Sequence, residues 1–342
     1  MPQSDHRDIR EMTIRFALVG AGRIGKVHAK AITGNSNARL IAVADAFAPA
    51  AKALAGRYDC AIRSIDEIEK AADVDAIVIC TPTNTHADMI ERFAKAGKAI
   101  FCEKPIDLSL KRVKACLAVV EKTRAKLMVG FNRRFDPHFA AVKKAVGEGA
   151  VGNVEMVQII SRDPGAPPAE YIKSSGGIFR DMTVHDFDMA RFLLGEEPVE
   201  IMASASVLTD RQIGKLGDYD SVSVILTTAS GKHCSISNSR RATYGYDQRI
   251  EVHGSKGAIS AENQRPVSIE LANASGYTRP PLHDFFMTRY IEAYAAEITA
   301  FIEVVAKDKQ PSPSGDDGMR ALMLAEAALQ SVATKRAVKT GL

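Results

Sequence analysis

Cysteine is scarce in this sequence. The five residues, Cys60, Cys80, Cys102, Cys116 and Cys234, are odd in number and scattered, and no two stand in C-x-x-C spacing. That argues against a disulfide framework and a zinc site, and it points to a reducing, cytoplasmic setting. Long apolar runs are missing too, so no segment reads as a membrane span. Residues 1–11 are polar and charged and lack the apolar core of a secretory signal. Residues 1–12 read as a disordered tail, with Met12 as an alternative start. Charge of one sign is equally thin. The net charge of +4 is spread over 342 residues, and the basic doublets Arg133-Arg134 and Arg240-Arg241 are isolated. With no basic tract carrying interleaved aromatics, a nucleic-acid partner is not expected.

What is present is an ordinary globular composition, long enough for two domains with buried cores. Over residues 13–130, apolar runs alternate with helix-compatible segments. This βαβ rhythm predicts a doubly wound parallel sheet, an α/β Rossmann domain. Its first turn, Gly20-Ala-Gly22-Arg-Ile-Gly25, is G-x-G-x-x-G set between a strand-like run and a helix-like run. In that context Gly20 permits the tight turn, Gly22 lets a pyrophosphate approach the backbone, and Gly25 lets helix and strand pack closely. The second strand-like run ends in Asp45, where a carboxylate would meet the adenosine ribose hydroxyls and repel a 2′-phosphate. This favours NAD over NADP. Ligands of such sheets bind beyond the carboxyl ends of the strands. The rule selects the glycine turn, Asp45, Thr81-Pro82-Thr-Asn84-Thr-His86, Glu103-Lys104-Pro105 and Asn132-Arg133-Arg134-Phe135-Asp136.

Residues 131–342 have a different texture. Several runs alternate apolar and polar, as in Ser221-Val-Ser-Val-Ile-Leu-Thr, and predict an α+β domain with a large, mostly antiparallel open sheet. A helix over about 183–194 interrupts them. Two more close the chain on either side of the Pro311–Gly315 linker, and the last is expected to pack back on the first domain. Asp181, His185 and Asp188 fall at i, i+4 and i+7 and predict one polar stripe on a largely apolar helix. A structural Asp–His bond and an oriented general base both fit that stripe. Lys104 fits an exposed loop lysine and also a cation that stabilises an alkoxide. The Thr81–His86 segment fits a helix cap and also a rim contact to the cofactor. Arg134 fits a solvated pair with Arg133 or a fork onto a polyol. Asp163, Tyr244, Tyr246 and Tyr294 are further candidates.

Taken in order, the glycine turn, Thr81-Pro82…His86, Glu103-Lys104-Pro105, Asn132-Arg-Arg-Phe-Asp136 and Gly176-Gly177…Asp181-Met-Thr-Val-His185-Asp-Phe-Asp188 resemble the Gfo/Idh/MocA oxidoreductase family over nearly the whole chain after Met12. The resemblance implies NAD as cofactor. It places the cofactor site on Gly20, Gly22, Arg23, Ile24, Gly25, Asp45, Thr81, Pro82, Asn84, His86, Glu103 and Lys104. It implies a catalytic trio of Lys104, Asp181 and His185, and substrate contacts from these three with Arg134, Asp163, Tyr244 and Tyr246. The implied substrate is a cyclic polyol or sugar, foremost myo-inositol oxidised to its 2-keto form in inositol catabolism. The implied assembly is a homotetramer formed through the second domain's sheet, with no membrane partner and no metal. A sugar or scyllo-inositol dehydrogenase of the same family, an NAD-dependent glycosidase and a non-catalytic sugar sensor remain as alternatives.

Overall fold

The structure is a computed structural model that describes residues 13–342, so the expected tail at 1–12 lies outside the described residues. Two compact units divide the chain. The first takes residues up to Gly130 together with Tyr294–Gly315, and the second takes Phe131–Ala293 and Asp316–Leu342.

In the first unit the order is β1 (Ile14–Val19), α1 (Arg23–Thr33), β2 (Ala38–Ala44), α2 (Ala48–Tyr58), β3 (Ala61–Ile62), α3 (Ile65–Lys70), β4 (Ala76–Ile79), α4 (His86–Lys95), β5 (Ala99–Glu103), α5 (Leu110–Thr123) and β6 (Leu127–Gly130). The strands pair in the order β3-β2-β1-β4-β5-β6, and every pairing is parallel. This is the doubly wound sheet that the rhythm predicts. Helices cover both faces of such a sheet, so its central strands are continuous apolar runs: Ile77, Val78, Ile79, Phe101 and Cys102 are fully buried. The short β3 is only two residues, Ala61 and Ile62, and both face solvent. The Pro311–Gly315 linker is ordered against β6, where Val129 N donates to Pro313 O at 3.0 Å.

The second unit runs α6 (Pro137–Gly147), β7 (Val154–Arg162), α7 (Ala169–Ser175), α8 (Ile178–Asp181), α9 (Thr183–Leu194), β8 (Pro198–Ser206), α10 (Arg211–Lys215), β9 (Ser221–Thr228), β10 (His233–Ser239), β11 (Asp247–Gly254), β12 (Gly257–Ala261), a hairpin of β13 (Leu271–Asn273) and β14 (Gly276–Thr278), and α11 (Phe286–Arg289). The chain ends with α12 (Ile291–Ala306), α13 (Gly315–Thr334) and β15 (Val338–Lys339). Seven strands form one sheet in the order β12-β11-β7-β10-β9-β8-β15, antiparallel except for the central β7–β10 pair. Alternation sorts its faces. Val157, Ile159, Val222, Val224, Leu226 and Ile236 are buried on the side covered by α9, while Met156, Met202 and Ile225 stand exposed on the other. It is α12, rather than the final helix, whose residues from Tyr294 onward belong to the first unit. The final helix α13 stays with the second, where Ala203 N of β8 donates to Ser331 Oγ at 2.9 Å.

Candidate active site

The first unit builds a dinucleotide cradle mostly from backbone. Gly20 has φ +103, and a Cβ there would lie 2.5 Å from the Cys80 carbonyl, so the turn after β1 admits only glycine. A Cβ on Gly25 would come within 2.0 Å of Gly20 O, which explains the third glycine as a packing requirement. Gly22 is different. It is the N-cap of α1, a Cβ there would meet nothing, and no side chain caps the helix or places an acid in its first turn. The orphan amides and positive end of α1 are therefore left to an outside anion, as a pyrophosphate requires. Arg23 and Ile24 form that first turn, exposed and half-buried respectively. Asp45 follows β2 beside the turn. Ala21 N donates to its Oδ2 at 2.5 Å and Phe47 N to its Oδ1 at 2.7 Å. Two backbone donors fix the carboxylate and leave lone pairs for a ribose diol. These residues fit NAD.

At the ends of β4 and β5 the geometry separates the expected contacts. Thr81, Pro82 and Asn84 line an exposed or half-buried turn, and Thr85 Oγ1 donates to Thr81 Oγ1 at 2.6 Å rather than capping α4. His86 is 2% exposed, with Nδ1 2.8 Å from Pro105 O and Nε2 2.7 Å from Thr81 O. Both ring nitrogens face carbonyls of the protein, so His86 sits between two strand-end loops. Burial lowers its pKa against the pull of those two oxygens. Glu103 turns its carboxylate inward, where Oε1 lies 2.6 Å from His28 Nε2. This contact anchors the end of β5. Lys104 comes directly after β5, half-buried, and its bond to Pro105 is cis.

In the second unit, Asp181 closes α8, while His185 lies in the first turns of α9 after a break at Met182. The predicted single stripe is thus divided between two helices. Asp181 is held from two sides: Tyr171 Oη donates to its Oδ1 at 2.7 Å, and Arg240 Nη2 lies 3.8 Å from its Oδ2. Asp163, just past β7, belongs to the same electrostatic group. Burial and then the nearby Asp181 push its carboxyl up to about 7, against the pull of Arg240 and Arg133. His185 is half-buried, with the edge of its ring against Phe131 at a centroid distance of 6.0 Å.

Asp188, the third member of the stripe, is 1% exposed and serves Arg134. Arg134 Nε and Nη2 donate to its two oxygens at 2.7 and 2.6 Å, Nη2 also reaches Asp317 at 2.9 Å, and the guanidinium lies over Phe192. The Arg134 fork is thus engaged by a buried ion cluster. Tyr244 is 48% exposed on the sheet's outer face, donating to Asp247 at 2.6 Å and accepting from Arg162 at 2.9 Å. Tyr246 is buried edge-on to Tyr290 and Phe285, on the side of Arg133 and Asp163. Of the two tyrosines, only Tyr246 shares the environment of Asp163.

Sequence reasoning missed the group that fixes α9. Asp186, beside His185, is fully buried. It receives Arg133 Nη1, Ser161 Oγ at 2.6 Å and Asn238 Nδ2 at 2.8 Å, and Asn238 in turn accepts from Thr183 at 2.7 Å. These partners come from β7, β10 and the segment after β6, and no local spacing joins them. Tyr171 was equally silent, and Arg240 was visible only as half of an isolated doublet.

A glycine turn opening onto an uncapped helix, an acid at the end of β2 and a polar group on a separate α+β unit define a nucleotide-dependent oxidoreductase of two-domain type. The family model described as "Oxidoreductase family, NAD-binding Rossmann fold" matches residues 14–131, and the GFO/IDH/MocA C-terminal domain matches residues 139–260. The chain belongs to the Gfo/Idh/MocA oxidoreductase family. It is 72% identical over 327 residues to an inositol 2-dehydrogenase of Rhizobium meliloti (strain 1021), an alignment covering 96% of this chain and 99% of that protein. It is 45% identical to a crystallised myo-inositol dehydrogenase from Corynebacterium glutamicum, with a TM-score of 0.92 and coverage of 96% and 98%. It is 27% identical to a scyllo-inositol dehydrogenase from Lactobacillus casei solved with NAD(H) and scyllo-inositol, with a TM-score of 0.90 and coverage of 96% and 100%.

Proposed function

We propose that this enzyme oxidises one ring alcohol of a cyclic polyol with NAD, converting myo-inositol to 2-keto-myo-inositol. The observation that carries the reading is the 72% identity to an inositol 2-dehydrogenase along almost the full length of both chains. Bound NAD supplies the hydride acceptor. The chain's own residues do the rest. His185 takes the hydroxyl proton, and Asp181, steadied by Tyr171 and Arg240, orients and electrostatically supports the imidazole. Lys104 stabilises the oxyanion that develops on the same oxygen. Asp163 and Tyr246 bind ring hydroxyls. A carboxyl with a pKa near 7 serves as donor or acceptor, which suits an uncharged polyol that offers both.

Assembly as a homotetramer through the seven-stranded sheet belongs to the same reading. Met156, Met202 and Ile225 on its outer face support it, since apolar side chains grouped on an open sheet mark an association surface. A cytoplasmic place in inositol catabolism suits five free cysteines and a chain with no helix long and apolar enough to cross a membrane among the described residues. The deciding experiment measures NADH formation across inositol isomers, glucose and linear alditols. Myo-inositol is expected to be the best substrate, and glucose-like pyranoses weaker. A preference for scyllo-inositol would move the enzyme to the sibling reading. Turnover of an aryl glycoside without net NADH would favour the glycosidase, and binding of NAD without turnover of any of these would favour the sensor.

A further inference from the structure

Behind the turn that carries Lys104 lies a cluster the mechanism does not use. His28 on α1, Glu103 at the end of β5 and Glu297 on α12 are all buried, and His28 and Glu297 are wholly so. One side-chain nitrogen or oxygen from each lies within 4.8 Å of the others. Around them lie the thiols of Cys80, just after β4, and Cys102 of β5, with the rings of Phe101 and Tyr294 edge-on to His28 at 5.0 and 5.5 Å. Gly130 of β6 packs against the cluster, since a Cβ there would stand 3.3 Å from the Glu103 carboxylate. Glu103 pairs with His28, and neither oxygen of Glu297 has a hydrogen-bond partner among the described residues.

The charges do not balance. Two carboxylates and one imidazole, with the imidazole protonated, still leave one negative charge buried without a counter-ion. Such a charge is removed by taking up a proton. Neither oxygen of Glu297 accepts a hydrogen bond, whereas Glu103 has His28, so the proton belongs on Glu297. Burial and the neighbouring Glu103 act in the same direction on it. A metal ion is the rival occupant. The 2.6 Å contact between His28 Nε2 and Glu103 Oε1 is a direct hydrogen bond that uses the very atoms a metal would need.

We propose that Glu297 is a positioning residue, held as the neutral acid, that donates to Glu103 and so fixes the strand end from which Lys104 projects. The neighbour on the other side is fixed already, since the Pro105 carbonyl is held by His86 Nδ1 at 2.8 Å. Lys104 then sits between two anchored residues. A misplacement of about 1 Å can cost a catalytic group roughly 10²-fold, so anchoring of this kind has a kinetic consequence.

The test uses the full-length enzyme near neutral pH. The infrared difference between wild type and Glu297→Gln should show the C=O stretch of a neutral carboxylic acid in wild type, lost in the variant. Carboxylate bands alone, or a stoichiometric divalent metal in the purified protein, would overturn the proposal. The kinetic consequence rests on the role given to Lys104 above, whereas the infrared band does not, so the two failures are distinguishable. Glu297→Ala should lower kcat about tenfold with the KM for NAD unchanged, and Glu297→Gln, still a neutral donor, should restore kcat to within about threefold of wild type. Equal loss in both variants, or no loss in Glu297→Ala, would refute the positioning role. Should Glu297→Ala fail to fold, the infrared band and the kinetics of Glu297→Gln still decide.

Discussion

In the first unit the groups offered to a ligand are largely main chain: the Gly20–Gly25 turn, the amides at the start of α1, and a carboxylate at Asp45 that backbone N–H groups hold in place. In the second unit the groups proposed to meet the substrate are side chains gathered from far apart. Asp163 follows β7, Asp181 ends α8, Tyr171 comes from α7, Arg240 follows β10, and Tyr246 precedes β11. A cofactor with a fixed pyrophosphate can be met by a backbone shape that three glycines dictate. A polyol must be read hydroxyl by hydroxyl, and only side chains with paired donors and acceptors can do that. The nucleotide half should therefore tolerate side-chain change that leaves its turn intact, while the polyol half should be sensitive at single atoms.

The largest expected effects test the assignment of chemistry to one residue on each unit. His185→Ala and Lys104→Ala should each lower kcat by about 10²-fold or more, the usual scale for losing a general base or an oxyanion partner. The dissociation constant for NAD, read by fluorescence titration, should stay near wild type in His185→Ala. A folded His185→Ala enzyme with near-normal turnover would return α9 to a purely structural role. The next effect is smaller and belongs to the backbone-dominated half. Asp45→Ala removes the carboxylate proposed to address the ribose, a charge-assisted interaction on the order of 2 kcal/mol. It should weaken NAD by roughly tenfold and narrow the gap to NADP, measured as kcat/KM with each cofactor. Comparable efficiency of the wild-type enzyme with both would remove Asp45 from that role.

The same contrast explains what could be read from the residues. The parallel sheet, the glycine turn and Asp45 are legible because their chemistry follows chain order: strand, turn, helix, acid about twenty residues on. His86 and Glu103 were legible in place, but their protein partners were not. Their spacing puts them at strand ends, yet only the fold shows His86 bridging the Thr81 and Pro105 carbonyls and Glu103 turned to His28. The partners of Arg134 were hidden for a related reason. An arginine after a strand end suits a polyol, but its partners Asp188 and Asp317 are 54 and 183 residues away along the chain. Asp181 and His185 have helical spacing across a junction where two helices meet, so the periodicity held while the single helix did not. The buried Asp186 network was invisible, since a lone aspartate between His185 and Phe187 has no signature until β7 and β10 are brought beside it.

The smallest effects separate the residues of the polyol half from their neighbours on the sheet. Tyr244→Phe should leave the KM for inositol unchanged, because its hydroxyl serves Asp247 on the outer face. Asp163→Asn should raise that KM several-fold while sparing the KM for NAD, the scale of one imperfectly replaced hydrogen bond. Asp163 also carries a pH signature. Its carboxyl is raised from the ordinary 3.8 to about 7, so between those values the native state holds a proton that the unfolded chain has released. Stability therefore falls as pH rises through that interval and levels off above it. Asp163→Asn removes the cost of ionising the buried group, and its gain in Tm over wild type should be larger at about pH 8 than at about pH 5. The KM for inositol in wild type should likewise change through a midpoint near pH 7, as Asp163 passes from donor and acceptor to acceptor alone, and Asp163→Asn should flatten that profile. An unchanged midpoint in Asp163→Asn would transfer the titration to His185, and the Tm comparison would then show no pH-dependent gain.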